Sequence, residues 1–361
     1  MSNRLYIDGS FGEGGGQILR SSLSLSMITG IRFKMKNIRA GRQKPGLMRQ
    51  HLTCVKAAAE VCGAEIAGAE IGSQDLSFNP STIKGGDYNF AIGTAGSTML
   101  VLQTILPALL MADKKSSVVL HGGTHNINAP TYDFIEQSFV PILKKMGAKI
   151  NCVIEKYGFY PTGGGEVVFE IEPLTQLKEI MLMERKGKSH HSAEALVANL
   201  PADIATRELT KISEMMDWDP EHLNIRQIKG STSSGNVVII KIDHDEVTEM
   251  ITSFGKFGLK AEKVAEQTCK RAQAFLASDA VIGEHLADQI LLPMALAGAG
   301  KFKTSKPSLH TKTNIEVIQK FLPCDIDMEE VNDNLCVISF GGEPFINEPL
   351  KKKLENNKKR N

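Results

Sequence analysis

Three stretches of the chain share one pattern of apolar and polar positions. GEGGGQILRSSLSLSMITG from Gly12, GTAGSTMLVLQTILPALLMA from Gly93 and GEHLADQILLPMALAGAG from Gly283 each open on glycine, continue with helix-period apolar positions and close in small residues. After each comes a short strand-like run (33–38, 117–121 and 301–304), a loop containing Gly or Pro, and a second helix, over 47–61, 132–146 and 314–321. Alternating strands follow, over 64–71 with 76–78, 149–157 with 166–171, and 325–328 with 334–340. The pattern predicts an α/β (α+β) chain of three tandem β-α-β-α-β-β repeats. Gly12 to Gly93 is 81 positions but Gly93 to Gly283 is 190, and the excess of 109 implies an insertion. Residues 1–183 then hold repeats one and two of a main domain, 184–278 a smaller inserted α/β domain, and 279–345 the third repeat. The insertion has its own helix patterns at 201–216 and 260–276 and strand patterns at 191–199 and 237–242. The basic tail, 346–361, has few apolar residues and is expected to be disordered.

Charge adds a constraint. With 42 Lys and Arg against 41 Asp and Glu the net charge is +1, so any site for a polyanion must be local. The six cysteines form no C-x-x-C and no closely spaced Cys/His ligand set, which argues against zinc ribbons and disulfide frameworks and for a reducing, cytoplasmic setting. The start MSNRLYIDGS lacks a secretory apolar region, and the most apolar run, 98–112, is short and interrupted by Gln103 and Pro107, so no membrane partner is expected.

One local field does stand out. From Gly14 to Ala59 there is no Asp or Glu, while Arg20, Arg39, Arg42, Lys44 and Arg49 all fall inside. Arg39-Ala-Gly-Arg42-Gln-Lys44-Pro-Gly reads as a loop just ahead of a helix, where guanidinium forks and backbone N–H groups suit phosphate; the plain alternative is a solvated basic face. The runs Gly14-Gly15-Gly16 and Gly163-Gly164-Gly165 match neither a Walker A loop nor G-x-G-x-x-G, and either could be a simple turn. Glu13 ahead of the first run is a single carboxylate of the kind that holds Mg²⁺ bridged to a nucleotide phosphate. His310 is placed in a loop between a strand and a helix, aimed by Thr313 and Asn314, where one ring nitrogen could take a phosphoryl group; a capping or solvent-facing histidine would look the same.

Several of these blocks occur together in one family. Gly12-Glu13-Gly14-Gly15-Gly16-Gln17-Ile18-Leu19-Arg20, Ile38-Arg39-Ala40-Gly41-Arg42 with Lys44-Pro45-Gly46-Leu47 and Gln50-His51, Gly158-Phe159-Tyr160-Pro161 with the second glycine run, Gly283-Glu284-His285-Leu286-Ala287-Asp288-Gln289, and His310-x-x-Thr313-Asn314 closely resemble the RNA 3'-terminal phosphate cyclases, in order from about Tyr6 to Leu322. The resemblance implies three repeats like the C-terminal domain of translation initiation factor three plus a smaller inserted domain. It also implies ATP as co-substrate, with Mg²⁺ or Mn²⁺, and an RNA bearing a 3'-phosphate end as partner. His310 then matches the histidine that takes AMP from ATP before passing it to the RNA, whose 2'-OH closes the 2',3'-cyclic phosphate and releases AMP. Gln103, Pro130 and His285, Leu286, Ala287, Asp288 and Gln289 match ATP-binding positions. Arg20, Arg39, Arg42, Gln50 and His51 match the phosphate- and RNA-holding cluster, and Glu13 the metal-contacting acid. Three other readings compete: a non-catalytic cyclase relative acting in ribosome assembly, which would lack the histidine; an enolpyruvyl transferase, whose signatures are not evident; and a plain RNA-binding module, which would not keep the ATP-site residues.

Overall fold

In the computed structural model, which describes residues 4–358, three four-stranded sheets follow one plan. The first unit runs β1 (Leu5–Asp8), α1 (Gly16–Thr29), β2 (Phe33–Lys36), α2 (Arg49–Cys62), β3 (Glu65–Ala67) and β4 (Leu76–Asn79). Its sheet order is β1-β2-β4-β3, with β1 and β2 parallel and the other pairs antiparallel. The parallel pair needs a crossover, which α1 supplies, whereas β3 and β4 join directly. The second unit repeats this with β5 (Asp87–Ala91), α3 (Thr98–Leu110), β6 (Ser116–Gly122), a segmented helix and the strands β7 (Lys149–Lys156) and β8 (Gly165–Glu172), in the order β5-β6-β8-β7. The segmented helix is α4 (Tyr132–Phe134), a π-helical turn (Ile135–Phe139) and α5 (Val140–Lys145).

The third unit is interrupted. Its first strand, β9 (Met181–Leu182), is followed by the insertion: β10 (His190–Ala198), α6 (Asp203–Met216), β11 (Leu223–Ile228), β12 (Gly235–Asp243), β13 (Thr248–Phe254) and α7 (Ala261–Leu276). The unit then resumes with α8 (Glu284–Ala297), β14 (Ala299–Ser305), α9 (Leu309–Phe321), β15 (Cys324–Asn332) and β16 (Leu335–Gly342). Because β9 pairs parallel with β14 at Met181–Lys301 and Leu182–Phe302, the last residues of the 1–183 segment belong to the third sheet and not to repeat two. Two residues carry no period, which is why the boundary was invisible in the sequence.

The helices α3 and α8 are mostly apolar and α1 buries Ser22, Ser24 and Ser26 among its apolar positions, so all three are covered on most of their surface. Gly30 and Gly298, both left-handed, end α1 and α8 at turns that a side chain would strain. One core runs through all three units; Phe33 stacks on Phe78 at 5.7 Å and meets Phe321 edge-on at 6.2 Å, so truncating Phe33 would cost about 3–5 kcal/mol. The inserted sheet, ordered β11-β10-β12-β13, buries one face under α6 and α7 and turns Leu196, Val237, Ile239 and Met250 of the other into the main core.

The segment from 346 onward, expected to be disordered, forms α10 (Glu348–Lys358) instead. Asn347 anchors it, donating to the carbonyls of Ala112 (3.0 Å) and Leu174 (3.3 Å), and Leu350 is buried behind it. The last three residues of that tail lie outside the described part. Among the described residues no helix is long and apolar enough to cross a membrane, and all six cysteines are free.

Candidate active site

The buried helices are interrupted by polar positions at one place. On α1 the side chains not buried include Arg20 and Ser21, on α3 they are Leu100 and Gln103, and on α8 they are Glu284, His285, Asp288 and Gln289. Spacings of three and four put each set on one helix face, and the faces meet. They open on a cleft of about 660 Å³, whose lining includes Gln17, Arg20, Pro130, His285, Asp288, Gln289 and His310. Gln103 lines a small side pocket with Gln289, to which its amide is hydrogen-bonded.

His310 is not in a loop. It lies in the first turn of α9, whose N-cap Ser308 accepts from the Thr311 amide at 3.3 Å. Nor do Thr313 and Asn314 aim it: the Thr313 hydroxyl accepts from the Glu13 amide at 3.1 Å, and Asn314 accepts from Ser21 at 2.6 Å. The partner of His310 is Gln17, whose Oε1 lies 2.6 Å from Nδ1. Gln17 Nε2 in turn donates to both Asp288 oxygens, at 2.7 and 2.9 Å. A carboxylate only accepts, so it turns the Gln17 amide nitrogen toward itself and the carbonyl toward the imidazole. A carbonyl also only accepts, so Nδ1 carries the proton and Nε2 keeps its lone pair. Burial raises the proton affinity of Asp288, and the Gln17 hydrogen bond and the Arg20 charge pull it part of the way back down. Gln17 was not among the candidate residues, because nothing in the letters shows a contact across 293 positions.

Beside this relay sits the anion cluster. Glu13, its side chain 4% exposed, accepts from Arg42 Nη2 at 2.5 Å and from the Gln17 amide at 3.3 Å. The glycines are there for close approach: a Cβ on Gly16 would lie 2.5 Å from His51 Nε2 and 2.9 Å from Arg20 Nη1, and one on Gly15 would lie 2.3 Å from Glu13 Oε2. Burial, and then the positive field of Arg20, Arg39 and Arg42, pushes His51 down to about 3, so it is a neutral imidazole at physiological pH. His51 Nδ1 is buried without a hydrogen-bond partner. Gln50 does not point into the cluster; its Oε1 accepts from the Ser97 amide at 2.7 Å and so holds the start of α3. Arg39, at φ +54°, donates through Nη1 to the carbonyls of Lys44 (2.8 Å) and Gly46 (2.7 Å), which makes this guanidinium nitrogen a brace of its own loop.

Leu286 and Ala287 are wholly buried on the core side of α8 and do not reach the cleft. The insertion, from which no candidate was drawn, forms a wall: Met250, Thr252, Phe254, Lys256, Gln267 and Arg271 all line the cleft. Arg271 donates to the Thr252 carbonyl at 2.8 Å and its other nitrogen lies 3.3 Å from His285 Nε2. Glu249 of β13 accepts from the Gly283 amide at 2.8 Å, tying the insertion to the start of α8. Its burial pushes the carboxyl up to about 7. On the facing side, Arg226 of β11 donates to Asp133 at 2.7 Å and also bonds Glu194, while Asp133 accepts from the buried His125 at 2.6 Å. Burial opposes the ionised Asp133, but His125 and Arg226 outweigh it and hold the carboxyl below its usual range. This network clamps both ends of the loop 126–131 that carries Pro130 into the cleft. Among the described residues no group of three or more His, Cys, Asp or Glu side chains is placed to hold a metal ion.

Comparison with known proteins adds a sequence relationship to this geometry. The family model for RNA 3'-terminal phosphate cyclase matches residues 11–328. A protein of Koribacter versatilis (strain Ellin345) named RNA 3'-terminal phosphate cyclase is 50% identical over 328 residues, covering 91% of this chain and 92% of its own. One of the same name from Salmonella agona (strain SL483) is 47% identical over 338 residues, covering 94% and 98%. A third, from Ectopseudomonas mendocina (strain ymp), is 47% identical over 334 residues, covering 92% and 97%. A solved enolpyruvyl transferase, NikO from Streptomyces tendae, aligns with 97% of this chain and 50% of its own at 8% identity and a TM-score of 0.36, a likeness too slight to bear on fold or function.

Proposed function

The chain belongs to the RNA 3'-terminal phosphate cyclase family, and from that premise we propose that it is an ATP-dependent ligase that converts an RNA 3'-phosphate into a 2',3'-cyclic phosphodiester. The observation that carries this reading is the Asp288–Gln17–His310 relay at the mouth of the cleft, which leaves one imidazole nitrogen with a lone pair. Nε2 of His310 attacks the α-phosphorus of ATP; an N–P bond forms, the bond to the bridging oxygen breaks and pyrophosphate leaves. An oxygen of the RNA 3'-phosphate then attacks the same phosphorus, breaking the N–P bond and restoring the imidazole. The phosphate monoester now carries a leaving group, and the neighbouring 2'-OH displaces AMP as the ring closes.

Within this reading the cleft takes the nucleotide, with Pro130, His285 and Gln289 lining it and Gln103 reached through Gln289. Arg20, Arg42 and neutral His51 receive phosphate, and the unpartnered His51 Nδ1 is an atom such a ligand could satisfy. Gln50 and Arg39 support the cluster from behind. Among the described residues Glu13 is the carboxylate bonded directly to the cluster, through Arg42, while Asp288, which also faces Arg20, is held by Gln17. A Mg²⁺ or Mn²⁺ ion would therefore use Glu13 alone from the protein and take its other ligands from phosphate and water. We read the three like units as repeats akin to the C-terminal domain of translation initiation factor three, and the free cysteines as fitting a cytoplasmic setting. The aimed, solvent-reachable imidazole favours catalysis over a purely binding role in ribosome assembly. The test is incubation of a 3'-phosphate RNA with ATP: the terminal phosphate should become resistant to phosphatase, with one AMP released per end. Ends that stay phosphatase-sensitive would refute the proposal.

A further inference from the structure

The motif Gly158-Phe159-Tyr160-Pro161 has no place in the nucleotide chemistry, yet the fold brings it beside the phosphate cluster. Tyr160 is 78% exposed, although its neighbour Phe159 is buried against His125 and Tyr157. The loop that presents it is stiff. The Gly163 amide donates to the Phe159 carbonyl at 2.7 Å, the Ser233 hydroxyl of the insertion donates to the same carbonyl at 2.8 Å, and the Gly158 carbonyl accepts from the Thr124 amide at 2.9 Å. Gly163 turns the chain at φ +75° with its Cα pressed on the loop before α3; a Cβ there would lie 2.9 Å from Ala95 Cα. That loop in turn rests on the cluster, since a Cβ on Gly96 would lie 3.1 Å from Gln50 Cβ, and Gln50 holds the Ser97 amide.

One continuous surface thus leads from Gln50 and His51, over Thr94 and Gly96, to Tyr160 and on to Thr232 of the insertion, whose hydroxyl donates to the Gly163 carbonyl at 3.3 Å. Its charge is one-sided. No Asp or Glu occurs between Glu13 and Glu60, Asp87 and Asp113, Glu155 and Glu166, or Glu221 and Asp243, the four segments that build it. Exposed Arg42, Arg49 and Lys229 belong to the same segments. A basic strip built from segments without Asp or Glu, its Arg42 paired at one end with Glu13, and one exposed aromatic ring on a stiff loop make the composition that holds a single strand without reading its bases.

Resting on the cyclase reading, we propose that Tyr160 is the platform on which a base of the RNA strand stacks, a nucleotide or more upstream of the 3'-phosphate held by the cluster. A phenol ring stacks on any base face, so this site lengthens the grip on the substrate while leaving the sequence free. The test measures binding of a 3'-phosphate RNA oligonucleotide and of a nucleoside 3',5'-bisphosphate by wild type, Tyr160→Ala and Tyr160→Phe, with labelling from ATP as a parallel readout. Tyr160→Ala should weaken the oligonucleotide about tenfold, leave the bisphosphate and the labelling unchanged, and be rescued by Tyr160→Phe. Placing an abasic site at each upstream position in turn should find one at which wild type loses the same factor and Tyr160→Ala loses nothing more. Oligonucleotide binding unchanged in Tyr160→Ala, or an equal loss for both ligands, would overturn the platform. Wild type that takes label from ATP but neither binds nor converts the 3'-phosphate RNA would overturn the cyclase reading itself.

Discussion

Replacing Gln17 by glutamate changes one group in the site and makes the relay's role measurable. In the wild type a neutral carbonyl lies 2.6 Å from His310 Nδ1, with a Glu13 carboxylate oxygen at 4.0 Å and the Asp288 carboxylate one amide further away. Gln17→Glu brings a carboxylate against the imidazole, which favours its protonated form and withdraws the Nε2 lone pair. An opposite charge within about 4–6 Å moves a titration by about 1–3 units, and sharing of one proton between the new carboxyl and Asp288 places this case at the low end. The acidic limb of the pH–rate profile for transfer of AMP from ATP to the protein should therefore move up by about one pH unit. On that limb the rate falls about tenfold, and it recovers at higher pH, since one unit is about 1.4 kcal/mol. Gln17→Ala makes the contrast. It removes the acceptor that orients the ring, one hydrogen bond worth about 1–1.5 kcal/mol, and should slow transfer by about tenfold at every pH with no upward shift of the limb. Single-turnover labelling from pH 5 to 9 reads both. A Gln17→Glu profile superposing on the wild type would show that Nδ1 does not depend on this contact.

Three further outcomes separate roles that the sequence lumps together. Arg42→Ala should weaken RNA-end binding and reduce the slope of log K against log salt by about one, whereas Arg39→Ala should leave the slope unchanged and cost about 1–2 kcal/mol of stability, because Arg39 braces its own loop. Gly16→Ala should lower RNA-end turnover about tenfold and cost about 1–3 kcal/mol of stability, since its Cβ would lie 2.5 Å from His51 Nε2 and must displace that ring; a variant with normal turnover would show the cradle is not used. Glu249, with a folded value of about 7 against an ordinary 4.5, favours the fold while neutral, so its contribution is complete below pH 4.5 and is lost as pH rises through 7. Gln in its place removes that loss, and the stability of Glu249→Gln relative to wild type should rise by up to about 3 kcal/mol between pH 4 and pH 8, read by denaturant unfolding; a flat difference would refute the assignment.

What could be read in advance followed from period and length. The buried helices α1, α3 and α8 each carry 13 or 14 residues of helical pattern, enough to reveal three like units. The strands β9, of two residues, and β11, with an exposed edge, have no comparable period and were missed. His310 reads as a loop residue because Pro307 precedes it and Thr311 and Thr313 are weak helix formers, although Ser308, the cap that starts α9, is a helix-start signal present in the letters. Basic residues of the cluster were legible from the missing acids, but their division into ligands and braces was not, since Arg39 and Arg42 differ only in what their guanidinium groups touch. The wall supplied by the insertion was invisible because Lys256, Gln267 and Arg271 form no motif with the residues they face.

The most direct test of the account is transfer of α-labelled AMP from ATP to the purified chain, with His310→Ala alongside. The account predicts label on the wild type that is lost in acid, as an N–P bond should be, and none on a folded His310→Ala variant. Acid-stable label, or equal label on the variant, would contradict His310 as the nucleophile.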